Sequence, residues 1–177
     1  SLQFFNAHGV AVHKVFVRDA TDRVAWNALV ARFADAAAAP AVFGSAPAPK
    51  AVRPDAEVDA AALASDWAAM QDTHEFFGLL QKHDTERQQS FRLVQQRFAW
   101  RLERSAIRVL LDEAAVDATP IMVFVSSGGC IQIHSGPVQR VEPMVRGEVR
   151  WLNVLDPAFN LHLREDHIDT VWQVEKP

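Results

Sequence analysis

Hydrophobic and polar positions follow two different periods along this chain, and the change of period separates helical from strand-forming parts. Between residues 58 and 116 apolar residues recur every third or fourth position, which predicts helices over 59–82, 85–97 and 105–116. From residue 120 onward apolar residues come in short runs or at every second position, as in strands. The pattern therefore predicts an α+β fold in which a helical cluster packs on an antiparallel β-meander sheet.

The strands predicted in the second half are separated by Gly, Pro and Asp turn residues. The run 121–125 is continuously apolar, so we expect a buried strand there. In the run 160–164, Leu161 and Leu163 alternate with polar residues, so these two leucines are predicted to face inward. The predicted strands are 121–125, 130–134, 138–144, 151–155, 160–164 and 168–175.

The first 57 residues carry a different pattern. Two β-rich runs flank a turn at residues 6–9, which predicts a β-hairpin over 2–17. A helix is predicted over 21–35, capped by Asp19 or Thr21, with a buried stripe of Trp26, Leu29, Val30 and Phe33. Residues 36–57 are rich in Ala and Pro without periodicity, which is typical of a linker.

One histidine interrupts the apolar face of the predicted helix 59–82. His74 shares that face with Trp67, Met70 and Phe77. Such a residue is ordinarily a core histidine that is hydrogen-bonded through one ring nitrogen. The alternative is an imidazole presented to a flat, apolar, anionic cofactor such as haem, because Arg87 falls in the first turn of the next helix. Haem iron accepts a neutral histidine nitrogen, and the propionates pair with Arg or Lys.

The composition of the chain argues against several classes of protein. The net charge of −4 over 177 residues argues against nucleic-acid binding. No apolar run reaches the length of a membrane span, and no signal-peptide pattern is present. The single Cys130 excludes an internal disulfide and fits a reducing compartment.

Two other groups of reactive residues carry weaker signals. His134, His162 and His167 match no zinc-site spacing, so they are interpreted as polar residues on neighbouring strands. Cys130 and His134 lie four residues apart on one predicted strand, roughly 13 Å, which is too far for direct activation of a thiol.

Four stretches together resemble a known family. These are SLQFFNAHGVAVHKVF at the start, DTHEFFGLL with ERQQSF near the middle, GCIQIHSGPVQ at 129–139, and WLNVLDPAFNLHLRED at 151–166. In this order they resemble the bacterial cytoplasmic haemin-degrading and haem-trafficking factors of the HemS/ChuS type. The resemblance spans nearly the whole chain and is weakest in the linker.

The resemblance implies a protein of two similar repeats, each a helical cluster with an antiparallel sheet. It implies that residues 1–35 are the closing hairpin and helix of the first repeat, 36–57 the linker, and 58–177 the second repeat. It also implies haem b (iron protoporphyrin IX) as cofactor. His74, in the segment D-x-H-x-F-F, would be the axial iron ligand, and Arg87 and Lys176 would contact propionate or ring, with Phe76, Phe77 and Leu80 as pocket walls.

Members of this family are about twice as long, in line with two domains of ordinary size. The resemblance implies a partial chain without the first-repeat arginine expected on the distal face of the haem. An incomplete sheet would expose an unpaired edge. We therefore predict that residues 2–17 either add to the sheet of 121–175 or pair with a second copy in a swapped homodimer.

These inferences favour cytoplasmic haem binding and trafficking for haem iron utilisation, with haem donor or acceptor proteins as partners. The alternative is a haem-degrading enzyme of the oxygenase type, which requires a distal hydrogen-bond donor. A third interpretation is a truncated chain that binds no ligand.

Overall fold

The computed structural model describes residues 1–176, and these form two compact units. The first unit contains Ser1–Ala48 and Met122–His134, and the second contains Pro49–Ile121 and residues 135–176. Helices and antiparallel strand pairs occur together, so the predicted α+β class is confirmed. Within residues 1–176 no helix combines the length and hydropathy needed to cross a membrane.

The predicted N-terminal hairpin is present in the first unit. Strands β1 (Leu2–Phe5) and β2 (Ala11–Val15) pair antiparallel. Asn6 organises the turn, because its side-chain oxygen accepts hydrogen bonds from the backbone N–H groups of His8 and Val10. Helix α1 (Arg23–Phe33) follows and is capped by Asp22, not by Asp19 or Thr21 as predicted.

A second ribbon completes the first unit. It is formed by β4 (Ile121–Ser126) and β5 (Ile131–Gly136), whose outer ends at 121 and 135–136 belong to the second unit. Its turn touches the hairpin, because the Ser127 hydroxyl donates to the Val12 carbonyl at 2.5 Å. Within residues 1–176 strands β1 and β2 pair only with each other, although the Ala7 carbonyl in their turn accepts a hydrogen bond from the Gly44 N–H. Of the two alternatives predicted for residues 2–17, addition to the sheet of 121–175 is therefore wrong, and pairing with a second copy stays a prediction. The two ribbons meet through the side chains of Ser127 and Cys130, which contact the Val12 carbonyl.

The first unit contains no buried residue. In the predicted buried stripe of α1, Trp26 is only half-buried and the other three residues are exposed, with Phe33 at 71%. The strand expected to be buried exposes Met122 and Phe124 at 59% each. Both predictions of burial are wrong. An apolar pattern identifies the face that can be buried, whereas burial also needs a covering surface.

The second unit holds the helical cluster. Its helices are α2 (Ala60–Ala69), α3 (Phe76–Lys82), α4 (Arg87–Leu93) and α5 (Ala106–Val116). Helix α5 begins one residue after its predicted start, buries Leu111 and Ala114, and leaves Leu110 54% exposed. Helix α4 begins with a capping box formed by Glu86 and Gln89.

The predicted helix 59–82 is interrupted, which changes the position of His74. Helix α2 ends at Ala69, Met70 and Asp72 are extended, and a short 3-10 helix (Thr73–Glu75) leads into α3. Polar side chains stabilise the break: Asp72 accepts the His74 N–H at 2.7 Å, and Glu75 accepts the Gln71 N–H at 3.0 Å. Local side-chain acceptors of this kind compete with the helical hydrogen bonds.

Two sheets belong to the second unit. Strand β3 (Ala99–Leu102), which was not predicted, pairs antiparallel with β9 (Val171–Val174). The predicted meander is formed by β6 (Val141–Arg146), β7 (Val149–Asp156) and β8 (Phe159–Arg164).

Trp67 occupies the centre of the main apolar core. Its side chain is fully buried and meets the Phe76 ring edge-on, with ring centroids 5.0 Å apart. The Phe98 ring stacks on it at 5.8 Å. Its indole N–H donates to the Glu175 carbonyl at 2.9 Å, so this one side chain ties α2 to the segment after β9. Through Phe76 and Glu175 the core sets the positions of the residues considered next.

Candidate functional site

His74 lies on the surface. Its side chain is 94% exposed, so the predicted position on the apolar face of a continuous helix 59–82 is wrong. The break between α2 and α3 causes the difference, because it turns His74 out of the stripe that contains Trp67 and Met70. The interpretation of His74 as a packed core histidine is excluded as well.

One carboxylate oxygen of Asp72 contacts both the backbone and the ring of His74. Its Oδ1 lies 2.7 Å from the His74 backbone nitrogen and 2.6 Å from the ring nitrogen Nδ1. The backbone N–H of His74, followed by its ring, lowers the pKa of the Asp72 carboxyl below its ordinary value. The ring nitrogen Nε2 has no hydrogen-bond partner among residues 1–176.

Phe77 follows His74 by three residues, across the junction of the 3-10 helix and α3. Residues at this spacing are neighbours on a helix surface, with Cβ atoms about 5–6 Å apart. Phe77 is 65% exposed, so an exposed apolar ring lies about one turn from His74.

Arg87 opens α4, as predicted, and its guanidinium lies over two aromatic rings. Its Cζ atom is 5.5 Å from the centroid of Phe76 and 5.4 Å from the centroid of Phe77. Both distances are within the range of cation–π attraction. Arg87 is exposed, as is the Phe77 ring that it covers.

Lys176 brings a second cation to the same place. Its Nζ atom lies 3.8 Å from the centroid of the Phe76 ring. Burial, and then the nearby charge of Arg87, lowers the pKa of the Lys176 ammonium below its ordinary value. Two cations that share one ring raise the energy of their charged forms, and an anion between them would relieve that cost.

The structure therefore brings Phe77, Arg87 and Lys176 together around Phe76, and His74 lies one turn from Phe77. Phe76 is itself buried and Leu80 packs against the core, so these two support the site from below. An imidazole nitrogen, an exposed aromatic ring and two cations can bind a planar, apolar anion that contains a metal ion.

Sequence reasoning missed the contact between Asp72 and His74. The signal was present: Asp72 and Glu75 have the spacing of residues that begin a helix. It also missed that β2 brings His13 to Cys130, with Nδ1 3.6 Å from Sγ, because that contact joins residues far apart in the chain.

Comparison with known proteins supports one family. The sequence profile described as "Haemin-degrading HemS.ChuX domain" matches residues 1–33 and 84–177, which is more than half of the chain. Arg87 and Lys176 lie in the matched segments, and His74 lies between them.

Three relatives align over almost the whole chain. The hemin transport protein HmuS of Yersinia pestis is 39% identical over 177 residues, which are 100% of this chain and 50% of HmuS. The structure of holo-PhuS, a heme-binding protein from Pseudomonas aeruginosa, matches with a TM-score of 0.90 and 45% identity, over 99% of this chain and 50% of that one. The heme degrading enzyme ChuS of Escherichia coli O157:H7 matches with a TM-score of 0.85 and 39% identity, over 99% and 49%.

This chain thus spans about half the length of the relatives it matches. Its predicted resemblance to the HemS/ChuS type is confirmed. The chain belongs to the haemin-degrading HemS.ChuX domain family.

Proposed function

We propose that this chain binds haem for carriage in haem iron utilisation, with His74 as the axial iron ligand. The observation that carries the proposal is the exposed His74 ring, which turns Nδ1 to Asp72 and leaves Nε2 open. A neutral imidazole whose other nitrogen donates to a carboxylate is the usual form of a metal-bound histidine.

The surrounding residues fit the other parts of haem b. Phe77 offers an exposed ring for the porphyrin face. Arg87 and Lys176 provide the two positive charges that two propionates require. Bound haem would supply the redox-active iron, and the chain's own residues would bind, orient and neutralise it.

The relatives support the same ligand, since HmuS is named a hemin transport protein and PhuS a heme-binding protein. The proposal includes a cytoplasmic location and haem donor or acceptor proteins as partners, both taken from the family resemblance.

A haem-degrading activity of the oxygenase type is the second candidate. It is favoured by one specific finding, the similarity to ChuS, which is described as a heme degrading enzyme. Loss of the Soret band in the presence of a reductant and O₂, resistant to catalase, would indicate degradation. Catalase is needed because free peroxide destroys haem without an active site.

Absorption titration with haemin tests binding. We expect a Soret shift that saturates at one haem per chain and is lost in His74→Ala. His167→Ala, at an exposed histidine of a different 3-10 helix, is the matched control and should bind as the wild type does. No shift in the wild type would support the third interpretation, a chain without ligand.

We also propose that the chain forms a homodimer through the hairpin 2–17. The exposed apolar residues of the first unit support this proposal, among them Phe4, Phe5, Phe16, Met122 and Phe124. Light scattering after size-exclusion chromatography measures the mass directly, and Phe16→Glu should shift it from dimer to monomer. A monomer in the wild type at micromolar concentration would contradict this proposal.

A further inference from the structure

The contact between Asp72 and the His74 ring is separate from the role of Asp72 as a helix cap. As a cap, Asp72 needs only to accept the backbone N–H of His74, which it does at 2.7 Å. The same Oδ1 also lies 2.6 Å from Nδ1 of the ring. A ring that is 94% exposed is not held in this orientation by packing, so the carboxylate is what orients it.

This geometry selects one tautomer of the neutral imidazole. A carboxylate oxygen only accepts hydrogen bonds, so Nδ1 must carry the hydrogen. The lone pair is then on Nε2, the nitrogen directed away from Asp72. A free neutral histidine in water carries its hydrogen on either nitrogen and rotates about its side-chain bonds.

A second aspartate–histidine pair in the same unit has the opposite arrangement. Asp66 contacts His83 through Nε2, at 2.7 Å, and the His83 side chain is only 9% exposed. Lys82 shares that carboxylate, also at 2.7 Å. The Asp66–His83 pair is thus part of the packing between α2 and α3, whereas the Asp72–His74 pair presents a nitrogen to solvent.

We propose that Asp72 is a positioning residue for haem: its carboxylate fixes the tautomer and orientation in which His74 presents Nε2 to the iron. This inference rests on the proposed function. A hydrogen bond from Nδ1 to a carboxylate makes the Nε2 lone pair a stronger electron-pair donor. Asp72 therefore also strengthens the iron–histidine bond. Removal of such outer partners weakens metal binding about 10–100-fold in other proteins.

The test compares Asp72→Asn, Asp72→Ala and the control Asp66→Asn by haemin affinity and by resonance Raman spectroscopy of the ferrous complex. Asparagine keeps the cap and removes the charge, so Asp72→Asn should fold normally, as far-UV circular dichroism can check. We expect its iron–histidine stretching frequency to fall, and haemin affinity to fall about 10–100-fold in Asp72→Ala. Asp66→Asn should leave the frequency unchanged.

A second measurement needs no variant. Nitrogen-15 NMR of the haem-free wild type should show His74 predominantly with its hydrogen on Nδ1. A predominant Nε2–H form, or an unchanged stretching frequency in Asp72→Asn, would overturn the inference. A wild type that binds no haemin, or binds it equally well as His74→Ala, would instead refute the proposed function.

Discussion

Trp67→Phe is the most informative perturbation of the second unit. Trp67 is fully buried, contacts the rings of Phe76 and Phe98, and donates its indole N–H to the Glu175 carbonyl at 2.9 Å. Phenylalanine keeps an aromatic ring there but loses the hydrogen bond and part of the volume. The substitution therefore separates general packing from the specific tie to Glu175.

The expected cost follows from two contributions. The lost hydrogen bond contributes about 0.5–1.5 kcal/mol. Roughly 40 Å³ of lost side-chain volume contributes about 1 kcal/mol as cavity at about 24 cal/mol per Å³, with about 1 kcal/mol more in lost burial. The free energy of unfolding should fall by about 2–4 kcal/mol. Since Lys176 follows Glu175, haemin affinity should fall as well.

Urea denaturation followed by far-UV circular dichroism measures the change. With a slope of about 2 kcal/mol per molar urea, the midpoint should fall by about 1–2 M. Trp100→Phe is the control, because Trp100 is half-buried on β3 and should cost less. The reasoning is refuted if Trp67→Phe costs under about 1 kcal/mol, or no more than Trp100→Phe does.

Three further predictions concern other contacts. Because the pKa of Lys176 is lowered in the folded state, the unfolded state binds more protons than the folded state between the folded pKa and 10.5, and the free energy of unfolding should rise with pH across that window. Urea midpoints at several pH values should show this rise, and Lys176→Met should abolish it. Gly129→Ala places a Cβ 2.4 Å from that of Val12, so it should lower the thermal midpoint of the first unit by an amount equivalent to about 1–3 kcal/mol, and an unchanged midpoint would contradict the observed packing. Gly78→Ala in α3 has open space around the new methyl group and should stabilise the second unit by about 0.5–1 kcal/mol, as urea denaturation would show; a loss of stability would argue against the helix at that residue.

Several elements could be predicted because they depend on residues close in sequence. The hairpin turn at Asn6 and the helix α5 follow from local hydrogen bonding and periodicity. The position of Arg87 in the first turn of α4 was also predicted. Such interactions join residues a few positions apart, so the sequence displays both partners together.

The position of His74 could not be predicted in the same way. Its periodicity matches that of Trp67 and Met70, which indicated a continuous helix with the His74 ring on its apolar face. The hydrogen bonds of Asp72 and Glu75 cost little to form and end that pattern, and periodicity alone cannot weigh them against one more helical turn. The sequence therefore identified His74 as the candidate ligand but did not show that its side chain is exposed.

By itself the sequence determined the α+β class, the family, and the residue types available at the candidate site. Only the tertiary structure decided that Lys176 meets Arg87 over Phe76, that β3 pairs with β9, and that the apolar faces of the first unit are exposed. The physical reason is that pattern and local hydrogen bonding are properties of short segments. Burial and the contact between two charged residues depend on which segments, distant in sequence, pack against each other, and this is fixed only in the folded chain.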